Sequence, residues 1–205
     1  MHRGSGTPHK KRERVQSHTP LMITMKLCKG LPSLRTMPTH DLWKEVLRAL
    51  RRARSDFRVV HYVLMGNHIH MLVEVDSTKS LSSGMISLKT RFARRWNKML
   101  GRKGKVFGDH YHHWLITAPH EARNAIAYVL KNARKHGIRW FKGIFDPYSS
   151  ASLFPGWVLP KDALDLLEDV ALQDVVFEPR TDLLAKDWLM AGSKISARTA
   201  PGRGY

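Results

Sequence analysis

With 205 residues the chain is long enough for one domain with extensions and short for two, and its 42% hydrophobic content suits an ordinary soluble core. A single cysteine, Cys28, excludes a disulfide framework and a cysteine-rich zinc site, and fits a reducing cytoplasm. No apolar run approaches the ~20 residues that a membrane span needs, and the first twenty residues are too polar and basic to read as a secretory leader.

The formal net charge of +18 points to a polyanionic partner. Residues 1–20 hold five basic residues against one acidic, and residues 160–205 six against eight, so the excess lies in the middle of the chain. Nucleic acid is the expected partner.

Residues 1–18, with Lys10, Lys11 and Arg12 and no periodicity, are expected to form a disordered basic arm. Leu21 to Leu27 alternates at period two, predicting a first strand that Gly30 and Pro32 end. Thr39 is placed to cap a first helix whose apolar face holds Leu42, Trp43, Val46, Leu47 and Leu50. Phe57 to Met65, the turn dipeptide Gly66-Asn67 and the stretch from His68 to Val75 predict a hairpin of strands two and three.

On strand three His68 and His70 share a face, with Cα atoms roughly 7 Å apart, so that two imidazoles can close on one metal ion. Ile69, Met71, Val73 and Val75 form the opposite, core-facing side. The histidine face is therefore expected to be half exposed. Glu74 shares it and is a weaker candidate ligand.

From Ser80 to Leu100 the residues Leu81, Met85, Leu88, Phe92, Trp96 and Met99 recur at helical spacing and predict a long second helix. Between Lys89 and Lys105 the cations Arg91, Arg94, Arg95, Lys98, Arg102 and Lys103 accumulate with no acid among them. Unopposed cations at that density repel one another unless phosphates offset them, which predicts a surface that tracks a DNA backbone.

His110 to Thr117 reads as a fourth strand, with His110, His112 and His113 more suited to DNA contact or plain surface than to ligation. A third helix starts at Pro119, carries Glu121 in its first turn and stops before Gly137. Its core stripe is Ala122, Ala125, Ile126, Val129, Leu130 and Ala133; Tyr128 sits about 130° from that stripe, with Asn132 one turn later. His61 and His136 read as structural or solvent-exposed residues.

The order β-α-β-β-α-β followed by α predicts an α+β, ferredoxin-like antiparallel sheet with helices on one face and an additional helix carrying Tyr128. Residues 19–150 form the expected domain. Residues 151–205 are a C-terminal extension, partly helical over 161–177 and mobile from Gly192 onward.

Gly-Asn-His68-Ile-His70-Met-Leu-Val, followed about sixty residues on by Tyr128-Val-Leu-Lys-Asn132 and a Lys-His-Gly helix end, resembles the single-tyrosine HUH transposases. The similarity is greatest to the REP-associated tyrosine transposases of bacteria. It extends from strand one to helix three and implies a transposase acting on single-stranded or hairpin DNA, usually as a homodimer, in the bacterial cytoplasm at the nucleoid. It implies that His68 and His70 bind Mg²⁺ or Mn²⁺, that Asn132 stands at the third ligand position, and that Tyr128 is the nucleophile forming a 5′-phosphotyrosine link. Gly66 and Ala133 depart from the family pattern, each standing where a proline is common.

Two rival readings share the same residues. One is a non-catalytic nucleic-acid-binding protein. The other is a hydrolytic metallonuclease that uses His68, His70 and the cluster of His110, His112 and His113, with water in place of the tyrosine.

Overall fold

The fold is described from a computed structural model covering residues 15, 18–108, 110–138, 144–159 and 174–198. Its main elements are β1 (Thr19–Lys26), α1 (Met37–Ala53), β2 (Phe57–Leu64), β3 (His68–Val75), α2 (Thr78–Met99), β4 (His112–Leu115) and α3 (Pro119–Lys135). After them come the short strands β5 (Trp157–Val158) and β6 (Ile195–Ser196), with α4 (Asp182–Ala185) between them. The four long strands form one antiparallel sheet in the order β2-β3-β1-β4, the ferredoxin-like arrangement expected from the element order.

Local chemistry explains most of the boundaries. α1 is capped by Thr36, whose side chain accepts from the Thr39 amide, and not by Thr39 as the spacing suggested. Pro38 fits the first helical turn, where it has no bonded amide to lose, so the helix starts ahead of it. Thr39 is buried inside that turn and its hydroxyl accepts from the Trp96 indole at 3.1 Å. α2 is capped by Ser77 and buries Leu81, Met85, Leu88, Phe92 and Trp96. Met99, expected on the same stripe, is 41% exposed.

The helices do not all lie on one face of the sheet. α1 and α2 pack on one side, against Phe57, Tyr62, Ile69 and Met71. α3 covers the other side, against Met22, Val60, Val63 and Leu72, together with Phe154, Trp157 and Trp188 of the C-terminal extension. The apolar residues of that second side require such a cover, and it corrects the expected half-exposed histidine face: His70 and Glu74 are buried, and His68 alone of the three is partly open.

The extension is tied to the sheet through Glu74. Its carboxylate accepts from the Arg180 amide at 2.9 Å, from the Thr181 amide at 2.8 Å and from the Thr181 hydroxyl at 2.8 Å, with Arg58 at 3.4 Å. Phe177 adds a backbone bond to Val59, and β6 pairs parallel with β5. Val15, from the predicted arm, is buried in the first core and donates its amide to Thr78. Residues 161–173 of the predicted acidic helix, and residues 1–14, 16 and 17 of the arm, lie outside the described residues.

Candidate active site

The end of the β2–β3 hairpin is fixed from several directions. Leu27 donates its amide to the Asn67 carbonyl at 2.8 Å and Leu34 donates to Gly66 at 2.9 Å. Arg35 donates to the Leu64 carbonyl at 2.8 Å while paired with the buried carboxylate of Asp146. At Gly66 an added Cβ would meet only the Ser33 hydroxyl at 3.8 Å, so space does not exclude a larger residue there.

This frame holds His68 and His70 with ring centroids 4.7 Å apart and planes at 83°. Two imidazoles bound to one ion through nitrogens about 2.1 Å away bring their centroids to roughly 5 Å, so the pair has the spacing of two ligands. The Asn67 side-chain oxygen accepts from Nδ1 of His68 at 2.8 Å, which leaves Nε2 with its lone pair. Nδ1 of His70 lies 2.8 Å from the hydroxyl of Thr24, its cross-strand neighbour. Nε2 of His70 is buried and without a partner.

Burial, then the neighbouring His68, push the pKa of His70 down to about 3. Burial followed by His136 and Lys26 lowers that of His68. Both rings are thus held in the neutral form that ligates metal.

α3 brings its own residues to these rings. The Tyr128 ring lies 5.1 Å from His70, nearly perpendicular to it, and the Lys135 ammonium sits 4.7 Å from the Tyr128 centroid. One turn beyond Tyr128, Asn132 is fully buried, and neither its oxygen nor its nitrogen has a hydrogen-bond partner. Another turn on, His136 lies 6.4 Å from His68. Tyr128, Asn132 and His136, spaced by four, form one stripe that runs along the histidine pair. His136 was read from sequence as structural or exposed; its helical spacing from Tyr128 was the signal that could have marked it.

A buried amide with both polar atoms unpaired is costly unless a ligand takes them. Among the described residues no three His, Cys, Asp or Glu side chains converge on a metal position. A divalent ion would therefore be held by His68, His70 and the Asn132 oxygen, and the orphaned atoms fit that role. Glu74 does not qualify, because its oxygens are committed to Arg180, Thr181 and Arg58. His112 pairs with Thr24 on the far side of β1 from His70, two strand spacings or roughly 10 Å away. His113 instead packs on Tyr111. His61 is structural: buried, 3.2 Å from the Ser150 hydroxyl and with its pKa pushed down to about 4 by burial.

The cationic run has a divided position. Arg94, Arg95 and Lys98 are exposed on α2, on the side of the sheet opposite Tyr128, while Arg91 bonds the Ser87 hydroxyl. The following loop, with Arg102, Lys103 and Lys105, returns to the end of β1, where Cys28 donates its amide to Val106 and Gly108 donates to Lys26. Lys26 is the cross-strand partner of His68, so the basic loop reaches the histidine end of the sheet. A separate cavity of about 700 Å³, lined by His61, Phe154, Phe177 and Trp188 among others, shares no residue with this site.

Residues 34–132 match the family model described as "Transposase IS200 like". Among solved structures the chain is similar to a REP-associated tyrosine transposase bound to a REP hairpin, with TM-score 0.56 and 17% identity over 70% of this chain and 82% of that one. A putative transposase from Deinococcus radiodurans R1 has TM-score 0.40 and 15% identity, covering 57% of this chain and 87% of that one. None of the curated proteins compared with the sequence matches it.

Proposed function

We propose that the chain, whose residues 34–132 match the IS200-like transposase model, is a transposase of that kind that nicks and rejoins single-stranded DNA through Tyr128. The observation that carries this reading is the placement of the Tyr128 ring against His70, beside a histidine pair and an unpaired buried amide.

A divalent ion, Mg²⁺ or Mn²⁺, held by His68, His70 and Asn132 would polarise a phosphate oxygen and leave positions open for DNA. The Tyr128 oxygen attacks the phosphorus of the scissile diester. The bond to the 3′ oxygen breaks, that oxygen leaves as a 3′-OH, and the 5′ phosphate stays on the tyrosine. An incoming 3′-OH reverses the step, so strands are joined without a nucleotide cofactor. The Lys135 ammonium, 4.7 Å from the centroid of the Tyr128 ring, makes a cation–π contact that helps to hold the ring in place.

The similar structure is bound to a REP hairpin, and hairpin-forming single strands are the substrate we propose here. Arg91, Arg94, Arg95, Lys98, Arg102, Lys103 and Lys105 supply phosphate contacts that lead the strand around the end of the sheet to His68. A homodimer would hold two DNA ends; it is not needed to complete the site, because Tyr128 and the histidines come from one chain. No described helix is long and apolar enough to cross a membrane, and a DNA substrate puts the protein at the nucleoid.

The test is incubation of the protein and Tyr128→Phe with labelled hairpin DNA and Mn²⁺, followed by a denaturing gel. We expect DNA covalently attached to the wild type alone. Cleavage without attachment in both would instead identify a hydrolytic nuclease, and binding without cleavage a DNA-binding protein.

A further inference from the structure

We propose that His136 is a DNA-contacting residue of this site, donating an imidazole N–H to a non-bridging oxygen of the phosphodiester held beside His68. The inference rests on the reading of the site as a DNA-cleaving centre and adds a residue to it.

His136 occupies the C-cap of α3, and the helix end is fixed at that point. Gly137 has φ 69°, its amide donates to Arg134, and the Ile138 amide donates to Ala133. These two bonds make a Schellman ending, which glycine at this position permits. The turn therefore presents His136 at one repeatable place, two helical turns from Tyr128. Its ring meets His68, and it is exposed where Asn132 is buried.

That difference in burial separates the roles. The unpaired atoms of His70 and Asn132 lie inside, where an ion would sit. His136 lies at the solvent side of the same stripe, where the strand must enter. Lys26, cross-strand from His68, and Lys135, beside Tyr128, flank this opening. The three side chains line a mouth suited to an anion. A separation of 6.4 Å between the His136 and His68 rings exceeds the spacing of two rings on one ion and leaves room for a phosphate oxygen between them. A neutral imidazole still carries one N–H, so the contact does not depend on protonating the ring.

The experiment uses the full chain loaded with Mn²⁺. In the Tyr128→Phe background, which cannot form the covalent link, adding His136→Ala should weaken binding of a fluorescent hairpin DNA by roughly tenfold, the loss expected for one hydrogen bond to a charged group. Affinity for Mn²⁺, read by electron paramagnetic resonance without DNA, should stay within about twofold. His136→Gln, which keeps a donor, should recover part of the DNA affinity; it also serves if the alanine variant folds poorly.

In the tyrosine-containing protein, His136→Ala should slow adduct formation. It should also change the rate ratio between the two phosphorothioate diastereomers at the scissile position, which a merely structural residue would leave alone. Unchanged DNA affinity overturns the proposal, and so does a large loss of Mn²⁺ affinity, which would make His136 a ligand. If the wild type forms no covalent adduct, the reading of Tyr128 fails, while the binding comparison still decides the role of His136.

Discussion

Asn132 is placed at a cost that a bound ligand would offset. Its amide is fully buried with both polar atoms unpaired, a situation worth about 1–3 kcal/mol against the folded state. Replacing it by an apolar residue of similar size should relieve that cost. Asn132→Leu is expected to unfold at a higher temperature than the wild type when metal is chelated, by about 1–2 kcal/mol of stability, and to bind Mn²⁺ at least about tenfold more weakly. A variant less stable in chelator and unchanged in Mn²⁺ affinity would show the amide to be structural. The sequence placed Asn132 beside Tyr128 by helical spacing. It could not show the burial, because that depends on the second layer over the sheet. His136 is exposed, as its place next to a helix-ending glycine suggests; its closeness to His68 depends on how α3 crosses β3, which no local pattern announces.

At the scale of elements, the period of the apolar residues was the reliable signal. It located β3, the α2 stripe and α3, each over several turns or alternations. Where a boundary depended on one side chain it failed, as with Thr36 and Thr39, since both are threonines near the same helix start. It was also silent on Gly84, a residue inside α2 that a helix former would ordinarily replace with profit. A Cβ there would come within 2.1 Å of the Phe57 ring, so α2 can lie on the sheet only because that atom is missing. Gly84→Ala should therefore destabilise the fold by about 1–3 kcal/mol, despite its better helix propensity. Thermal unfolding of the variant checks this, and a raised melting temperature would contradict it.

Across the whole molecule, the reading of Glu74 shows why alternation alone misjudged the second face. Glu74 and His70 look like a polar, solvated edge in sequence, yet both lie beneath later parts of the chain whose arrival no local pattern announces. Burial holds three histidines neutral, His61 and His70 on β2 and β3 and His40 on α1, against Tyr62 on the other side of the sheet. Burial lowers the pKa of His40 to about 4, of His61 to about 4 and of His70 to about 3.

Below about pH 6.5 the unfolded chain takes up protons at these positions that the folded chain refuses until pH 3–4, so their contribution to stability is lost as the pH falls through that window. The melting temperature of the metal-free protein should accordingly drop steadily from pH 6.5 to 4. A flat profile over that range would mean that the rings are not buried as described.

The clamp at Glu74 has a further consequence for how strands are exchanged. The extension that it anchors lies against the outer side of α3: Arg123 bonds the Ser193 carbonyl, and Trp188 packs with the helix. The tyrosine helix is thus enclosed between the sheet and the extension of its own chain. In the proposed reaction the captured 5′ end stays where it was cut. Traffic then falls to the nucleic acid: the outgoing 3′ end must vacate the spot and the recipient must come to it. The order of joining would be written in the folding of the hairpin, with the protein as a fixed anvil.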